Sequence, residues 1–356
     1  MNPLFLTISL RFLFILAISW QFQNALFAQS NPENPFEYKI VKSINLPGDE
    51  KWDYLAVNER YNRLFIAHTS QVQVVDLKKD SLIATIPNLL GVHGIAFADD
   101  LDLGFTSNGK SSTVTVFDLK TLQVLQEIDL KPKGGKKPDA ILYDLFSHQI
   151  FVFCGESNNA IVINAKKKKV VAVLALDGVP EFAVSNGKGK VYVNIEDKHA
   201  MNIINSATNK RDNVWPIYPA ETCGALGIDI QNNRLFVACP GDQDVIHLVN
   251  ANNGNILQSY PIGRGSDAIV VDNSSQQHLI YCSNSEGTVT IIKQEDADDA
   301  DHFKVIQTLK TQEGSKTMAF HSKTHTMYIA AGQTDPSDPK KLKSGSFKIL
   351  IAKRKN

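Results

Sequence analysis

The chain has 356 residues and an even charge balance, 37 Lys and Arg against 37 Asp and Glu. No net field therefore argues for a nucleic-acid or membrane-surface partner. Its four cysteines suit an exported protein without making the fold depend on disulfides.

Residues 1–28 read as a secretory leader. A short polar start with Arg11 precedes an apolar run over 12–20, and Ala25 to Ala28 offer a small-residue cleavage point. Arg11 interrupts the apolar stretch, and the run after it is shorter than the roughly 20 residues a spanning helix needs. No Cys follows the cleavage region to carry a lipid. The expectation is a periplasmic or secreted chain with no membrane span after cleavage. About 328 residues then remain, and one domain is expected to use them all.

Residues 37–46, EYKIVKSINL, predict a strand that stands alone ahead of a repeating region. The next stretch, residues 52–77, sets the pattern for the whole chain. Three apolar runs of four to six residues, rich in β-branched side chains, are separated by turns at 58–62 and 68–71. That spacing predicts strands and not a helix.

The stretch returns six times. Aligned on the residue that opens the first strand, the copies begin at Asp53, His93, Asp139, Glu181, Gly224, Asp267 and Lys316, separated by 40, 46, 42, 43, 43 and 49 residues. The second strands repeat as RLFIAH, LGFTSN, QIFVFC, KVYVNI, RLFVAC, LIYCSN and TMYIAA. A third run comes next in each copy, and a fourth at 81–86, 124–130, 170–176 and 256–262. Four strands at this period predict an all-β, seven-bladed β-propeller. The last copy is too short for a fourth strand, so residues 37–46 are expected to join its outer edge, close the ring and remove an exposed edge.

Lys131, Lys133, Lys136 and Lys137 share one linker, Lys340, Lys341 and Lys343 another, and Asp296, Asp298, Asp299 and Asp301 an acidic loop tip. Cys223 precedes the first strand of the fifth copy and Cys239 ends its second. Antiparallel pairing returns them to one height, which predicts a disulfide. Cys154 and Cys282 lie in non-neighbouring blades and are expected as buried thiols.

In a propeller the innermost strand lines the central channel. The loop leading into it and the loop after the second strand open on the same face. The first set is Trp52, Asp53, His93, Asp139, Glu181, Asp267 and Lys316; the second includes His68, Asn108, Glu156, Glu196, Asp242 and Asn284. Crowded carboxylates repel, which raises some of their pKa values or calls for a cation. Asp139, Glu181 and Asp267 are candidate oxygen ligands for Ca²⁺ or Mg²⁺, and His93 would admit a transition metal. The same carboxylates also have an architectural use, capping backbone N–H groups of a neighbouring blade. His278, His321 and His325 fall on turns at the opposite face and are expected at the surface. The sequence has no GxSxG elbow, HExxH, P-loop, CxxC or tandem Cys/His zinc spacing.

The repeat resembles the YVTN β-propeller repeat, and the chain looks like a YncE-family exported propeller. WDYLAV at 52–57, GVHGIAFA at 91–98, GFTSNG at 104–109, KPDAILYD at 137–144, PEFAVSNGKGKVYVNIEDK at 180–198 and TMAFHSKTHTMY at 317–328 carry the resemblance. The family pattern has Gly-Ala-Arg-Thr before the last blade, where this chain has Gly314, Ser315, Lys316 and Thr317; Lys offers a point charge in place of a bidentate fork. More distantly, the streptogramin lyases and lactonase-type propellers are similar in architecture, and that likeness implies a channel metal.

Two functions are expected. One is a non-catalytic binding or scaffold propeller that holds a small molecule or protein partner at the channel mouth through Trp52, Asp53, His68, His93, Asp139, Glu181, Glu196, Asp267 and Lys316. The other is a metal-assisted lyase or lactone hydrolase, with a divalent ion on Asp139, Glu181 and Asp267 polarising a carbonyl and His93 as acid–base.

Overall fold

A computed structural model describes residues 35–218, 222–241, 244–274 and 277–355. Tyr38–Arg354 form one compact unit. The leader expected at 1–28 and the site candidate Asp242 lie outside the described residues.

The apolar runs become strands as their periodicity requires, and they sort into seven four-stranded antiparallel sheets. Blade 1 runs outward from Leu55–Asn58 through Arg63–His68 and Gln71–Asp76 to Ser81–Ile86. The inner strands of the next six blades are Val92–Ala98, Pro138–Asp144, Pro180–Ser185, Leu226–Asp229, Ser266–Asp272 and Met318–His321. Consecutive inner strands pack against one another, and blade 7 meets blade 1. The fold is a seven-bladed β-propeller.

A single blade leaves two apolar faces, and the cores therefore lie between blades. Phe65, Val72 and Val74 of blade 1 pack with Ile95 and Phe117 of blade 2. Ile150, Val152 and Ile161 of blade 3 meet Phe105 and Val116 of blade 2. Closure obeys the same logic. Tyr38–Asn45 pairs antiparallel with Lys348–Arg354 as the outermost strand of the last blade. Its Ile44, together with Leu46, enters the core shared by blades 7 and 1. Tyr38 is 1% exposed and its hydroxyl lies 2.8 Å from that of Tyr281 in blade 6.

Blade 7 holds one feature the spacing did not show. Between its second and third strands a small hairpin, Thr334–Asp335 with Asp338–Leu342, carries Lys340 and Lys341. Leu342 is buried against Trp52 and Phe347 in the closing core.

The structure corrects the placement of three histidines. His278 and His321 are buried and His325 is partly buried. In six blades the turn after the inner strand contains a left-handed residue, Asn62, Asp102, His148, Asn233, His278 or His325, with φ between 43° and 54°. At two of these, the imidazole is set against a fully buried aspartate of the preceding blade. His278 Nδ1 lies 2.7 Å from Asp229 and His325 Nδ1 lies 2.8 Å from Asp272. His321 instead ends its inner strand, with Nε2 3.2 Å from the Asn62 amide oxygen of blade 1. A buried carboxylate needs a donor, and these turns supply one. The acidic loop of blade 6 also has a partner, since Arg234 Nε donates to Asp301 at 2.6 Å.

Candidate functional site at the channel mouth

Each candidate anchor stands at the head of an inner strand, and four of these heads are irregular. The pairing register slips between Val92 and Ile95, Pro138 and Ile141, Pro180 and Ala183, and Ser266 and Ala268. Such bulges bend the strand and re-aim a side chain. They flank His93, Asp139, Glu181 and Asp267.

What holds these heads in place is the preceding blade. The fifth residue of the second strand in blades 2, 4 and 6 is Ser107, Asn194 and Ser283. Ser107 Oγ donates to the Asp139 carbonyl, Asn194 Nδ2 to the Gly224 carbonyl at 2.8 Å, and Ser283 Oγ to the Lys316 carbonyl at 2.5 Å. Ser107 Oγ also accepts the Gly94 N–H. Sequence reasoning missed these three residues. Their signal was present, because the same position reads Ala, Ser, Phe, Asn, Ala, Ser, Ala around the ring.

The channel beneath is a cavity of about 490 Å³. Asp53, Asp139, Glu181, Asp267 and Lys316 line it, and so do Leu55, Val57, Ile269, Val271, Met318 and Phe320 from the inner strands of blades 1, 6 and 7. Tyr54 and Phe182, from blades 1 and 4, stack with ring centroids 5.3 Å apart.

The charges pair unevenly. His93 Nδ1 lies 2.5 Å from Asp53 and 3.8 Å from Asp139, and Gly109 leaves the space its ring occupies. Lys316 Nζ lies 3.3 Å from Asp267. Glu181 has no ion-pair partner among the described residues. Burial foremost, then Asp139, Glu196, Asp267 and Asp53, pushes its carboxyl up to about 8. Burial also raises Asp139 and Asp267, although His93 and Lys316 pull each back. Burial works against charge on His93, but the Asp53 hydrogen bond and the nearby carboxylates outweigh it and raise the imidazole. Lys316 is raised likewise, with Asp267 and Asp53 overcoming its burial. Burial and four carboxylates hold the Tyr54 phenol well above its ordinary value.

The capping explanation does not fit this geometry. None of Asp53, Asp139, Glu181 or Asp267 accepts a backbone N–H in any hydrogen bond among the described residues. Ser107, Asn194 and Ser283 secure the strand heads instead.

Several sequence candidates stand elsewhere. His68 is fully buried and packs tilted on Phe347, ring centroids 4.6 Å apart; neither ring nitrogen makes a hydrogen bond, and Nδ1 lies 4.0 Å from Glu50. Trp52 donates to Thr317 Oγ1 at 3.0 Å and packs on Phe347, closing the ring and not lining the cavity. Asn108 and Asn284 are buried and brace their own blades, each through Nδ2 to two threonines. Glu156 and Glu196 are exposed, and Glu196 reaches Glu181 only through its charge.

The metal candidates regroup as well. Asp139, Glu181 and Asp267 do not form a set with all ligand atoms within 4.8 Å of one another. Among the described residues, Asp53, His93 and Asp139 do. The disulfide joins Cys223 and Cys239. Cys154 and Cys282 are buried free thiols, and burial pushes Cys154 up to about 12.

Among solved structures, the chain is similar to the WD40 repeats of RRP9, at 9% identity over 89% of this chain and all of that one, with a TM-score of 0.74. It is also similar to the hydrazine synthase of Kuenenia stuttgartiensis, at 13% identity over 80% of this chain and 94% of that one, with a TM-score of 0.70. No family model and no curated protein matches the sequence. Identities this low establish the β-propeller fold alone, and no described helix is long and apolar enough to cross a membrane.

Proposed function

We propose that this chain is an exported β-propeller of the YVTN-repeat type that binds a small molecule at its channel mouth. The supporting observation is that four carboxylates from blades 1, 3, 4 and 6 ring a cavity of about 490 Å³ without serving the backbone. Like charges brought together with no structural task cost stability. A ligand that answers them accounts for their being there. Among the described residues no nucleophile–base pair lines the cavity, and binding accounts for the site more directly than catalysis does.

The test is thermal-shift and calorimetric screening of a panel of amines, carboxylates, sugars and divalent ions. It compares wild type with the triple variant Asp139→Asn, Glu181→Gln, Asp267→Asn. At least one class should stabilise the wild type, by roughly 2.7 kcal/mol at a hundred times its dissociation constant, and lose that effect in the variant. Stabilisation that survives intact in the triple variant would move the site away from the mouth.

A second reading rests on Asp53, His93 and Asp139, whose geometry suits a divalent ion with open positions for a substrate carbonyl. Here the metal ligands would be these three, not the trio the sequence suggested. Metal content after exhaustive dialysis decides it: one equivalent in wild type and none in His93→Ala supports it, and no metal in either removes it.

A further inference from the structure

We propose that the ligand is an organic cation with a linear apolar tail, its ammonium group at the mouth and its tail down the channel. This rests on the mouth-binding reading and adds the ligand's chemistry. Two cations at the mouth are paired, His93 by Asp53 and Asp139 and Lys316 by Asp267, and Lys137 reaches Asp139 and His93 through its charge alone. Of the four carboxylates, Glu181 is the one without a cationic partner among the described residues. The deficit is of positive charge.

The cavity does not end at the mouth. Its remaining wall is mostly apolar, made by Leu55, Ile269, Val271, Met318 and Phe320 together with the Tyr54–Phe182 stack, with Thr317 and Ser322 its polar members. A bare metal ion would leave that wall unused. An aromatic face beside carboxylates favours an ammonium group over a neutral polar one. The extended chain from Asp53 into the inner strand at Val57 rises about 13 Å, which accommodates a tail of roughly six to eight carbons. The Tyr54 hydroxyl makes no hydrogen bond among the described residues, which leaves it available beside the ammonium group.

Isothermal titration of the full chain with butyl-, hexyl- and octylamine, hexanoate and hexanol tests this. Binding of the amines should tighten about fourfold per added methylene, as for burial of apolar surface. Hexanoate and hexanol should bind at least tenfold more weakly than hexylamine. Glu181→Gln should weaken hexylamine at least tenfold. Val270→Phe, at a half-buried position of the channel wall, should remove the chain-length dependence; a melting curve checks that it folds, and the wild-type amine series carries the test if it does not. Amines that bind equally at every length, or hexanoate binding as tightly as hexylamine, would overturn the inference while leaving mouth binding intact. So would divalent ions or sugars binding at the mouth with no response to amines. Silence across the whole panel would sink both.

Discussion

Replacing Glu181 with Gln should make this protein more stable above neutral pH and leave it unchanged in acid. The unpartnered carboxyl titrates at about 8 in the folded chain and near its ordinary 4.5 when unfolded. Below pH 4.5 both states hold the proton, so the charge costs nothing. Between 4.5 and 8 only the unfolded state releases it, so wild-type stability falls as pH rises and levels off above 8. At 1.36 kcal/mol per pH unit the full loss is about 5 kcal/mol. Water at the mouth screens part of it, which leaves roughly 2–3 kcal/mol to be measured. The amide keeps the shape of the protonated acid and has no charge to bury, so the variant should not show this fall. Urea melts at pH 4, 6, 8 and 9, monitored by tryptophan fluorescence, give the two curves. Superimposed curves, or a variant less stable at pH 9, would mean that Glu181 has a favourable partner in the folded chain. Added cationic ligand should narrow or reverse the order, because the wild type gains more from it.

Three other changes probe the scaffold. Removing residues 38–46 uncovers the edge of Lys348–Arg354, and light scattering should report aggregation that the intact chain does not show; a monomer with unchanged melting would contradict the closure. Gly104→Ala places a methyl group against the ring of fully buried Phe117, and chemical denaturation should show a loss of about 1–3 kcal/mol from overpacking. Asp272→Ala leaves His325 and Ser274 without their shared acceptor, and a loss of about 1–3 kcal/mol is expected for the hydrogen bonds left unmade. A neutral effect there would mean that the pair adds nothing to the contact between blades 6 and 7.

The ring was legible because repetition is a property of the chain. Short β-branched runs can only be strands, and seven copies can only bury their faces against one another. The closing strand came from a remainder, one run left over and one blade incomplete. What the sequence hid depends on angle and register. A bulge has no residue signature, so nothing told how His93 or Glu181 would be aimed. His278 and His325 looked exposed because turns usually are; their imidazoles are set against aspartates a whole blade away along the chain. His68 and Trp52 were placed in the right loops, but the ring closure takes up both side chains. The metal trio failed for a related reason. Blade order alone would set Glu181 beside Asp139, but the bulged strand heads aim His93 between Asp53 and Asp139, and those three cluster instead.

The division of labour between backbone and side chain is the strongest reason to read the mouth as functional. Closing a propeller requires every inner strand to be held at its head. In blades 3, 5 and 7 that task falls to a hydroxyl or amide on the preceding blade, which binds the backbone carbonyl of Asp139, Gly224 or Lys316. Gly224 shows that the arrangement needs no side chain at the head at all. An acid at the equivalent position of blade 3 is therefore not required by the fold, and burial raises its carboxyl above the ordinary value. The same holds more strongly for Glu181, which has neither cation nor backbone donor among the described residues. Folding alone would favour glycine or a neutral residue at these positions. The acids are explained once something positively charged sits above them.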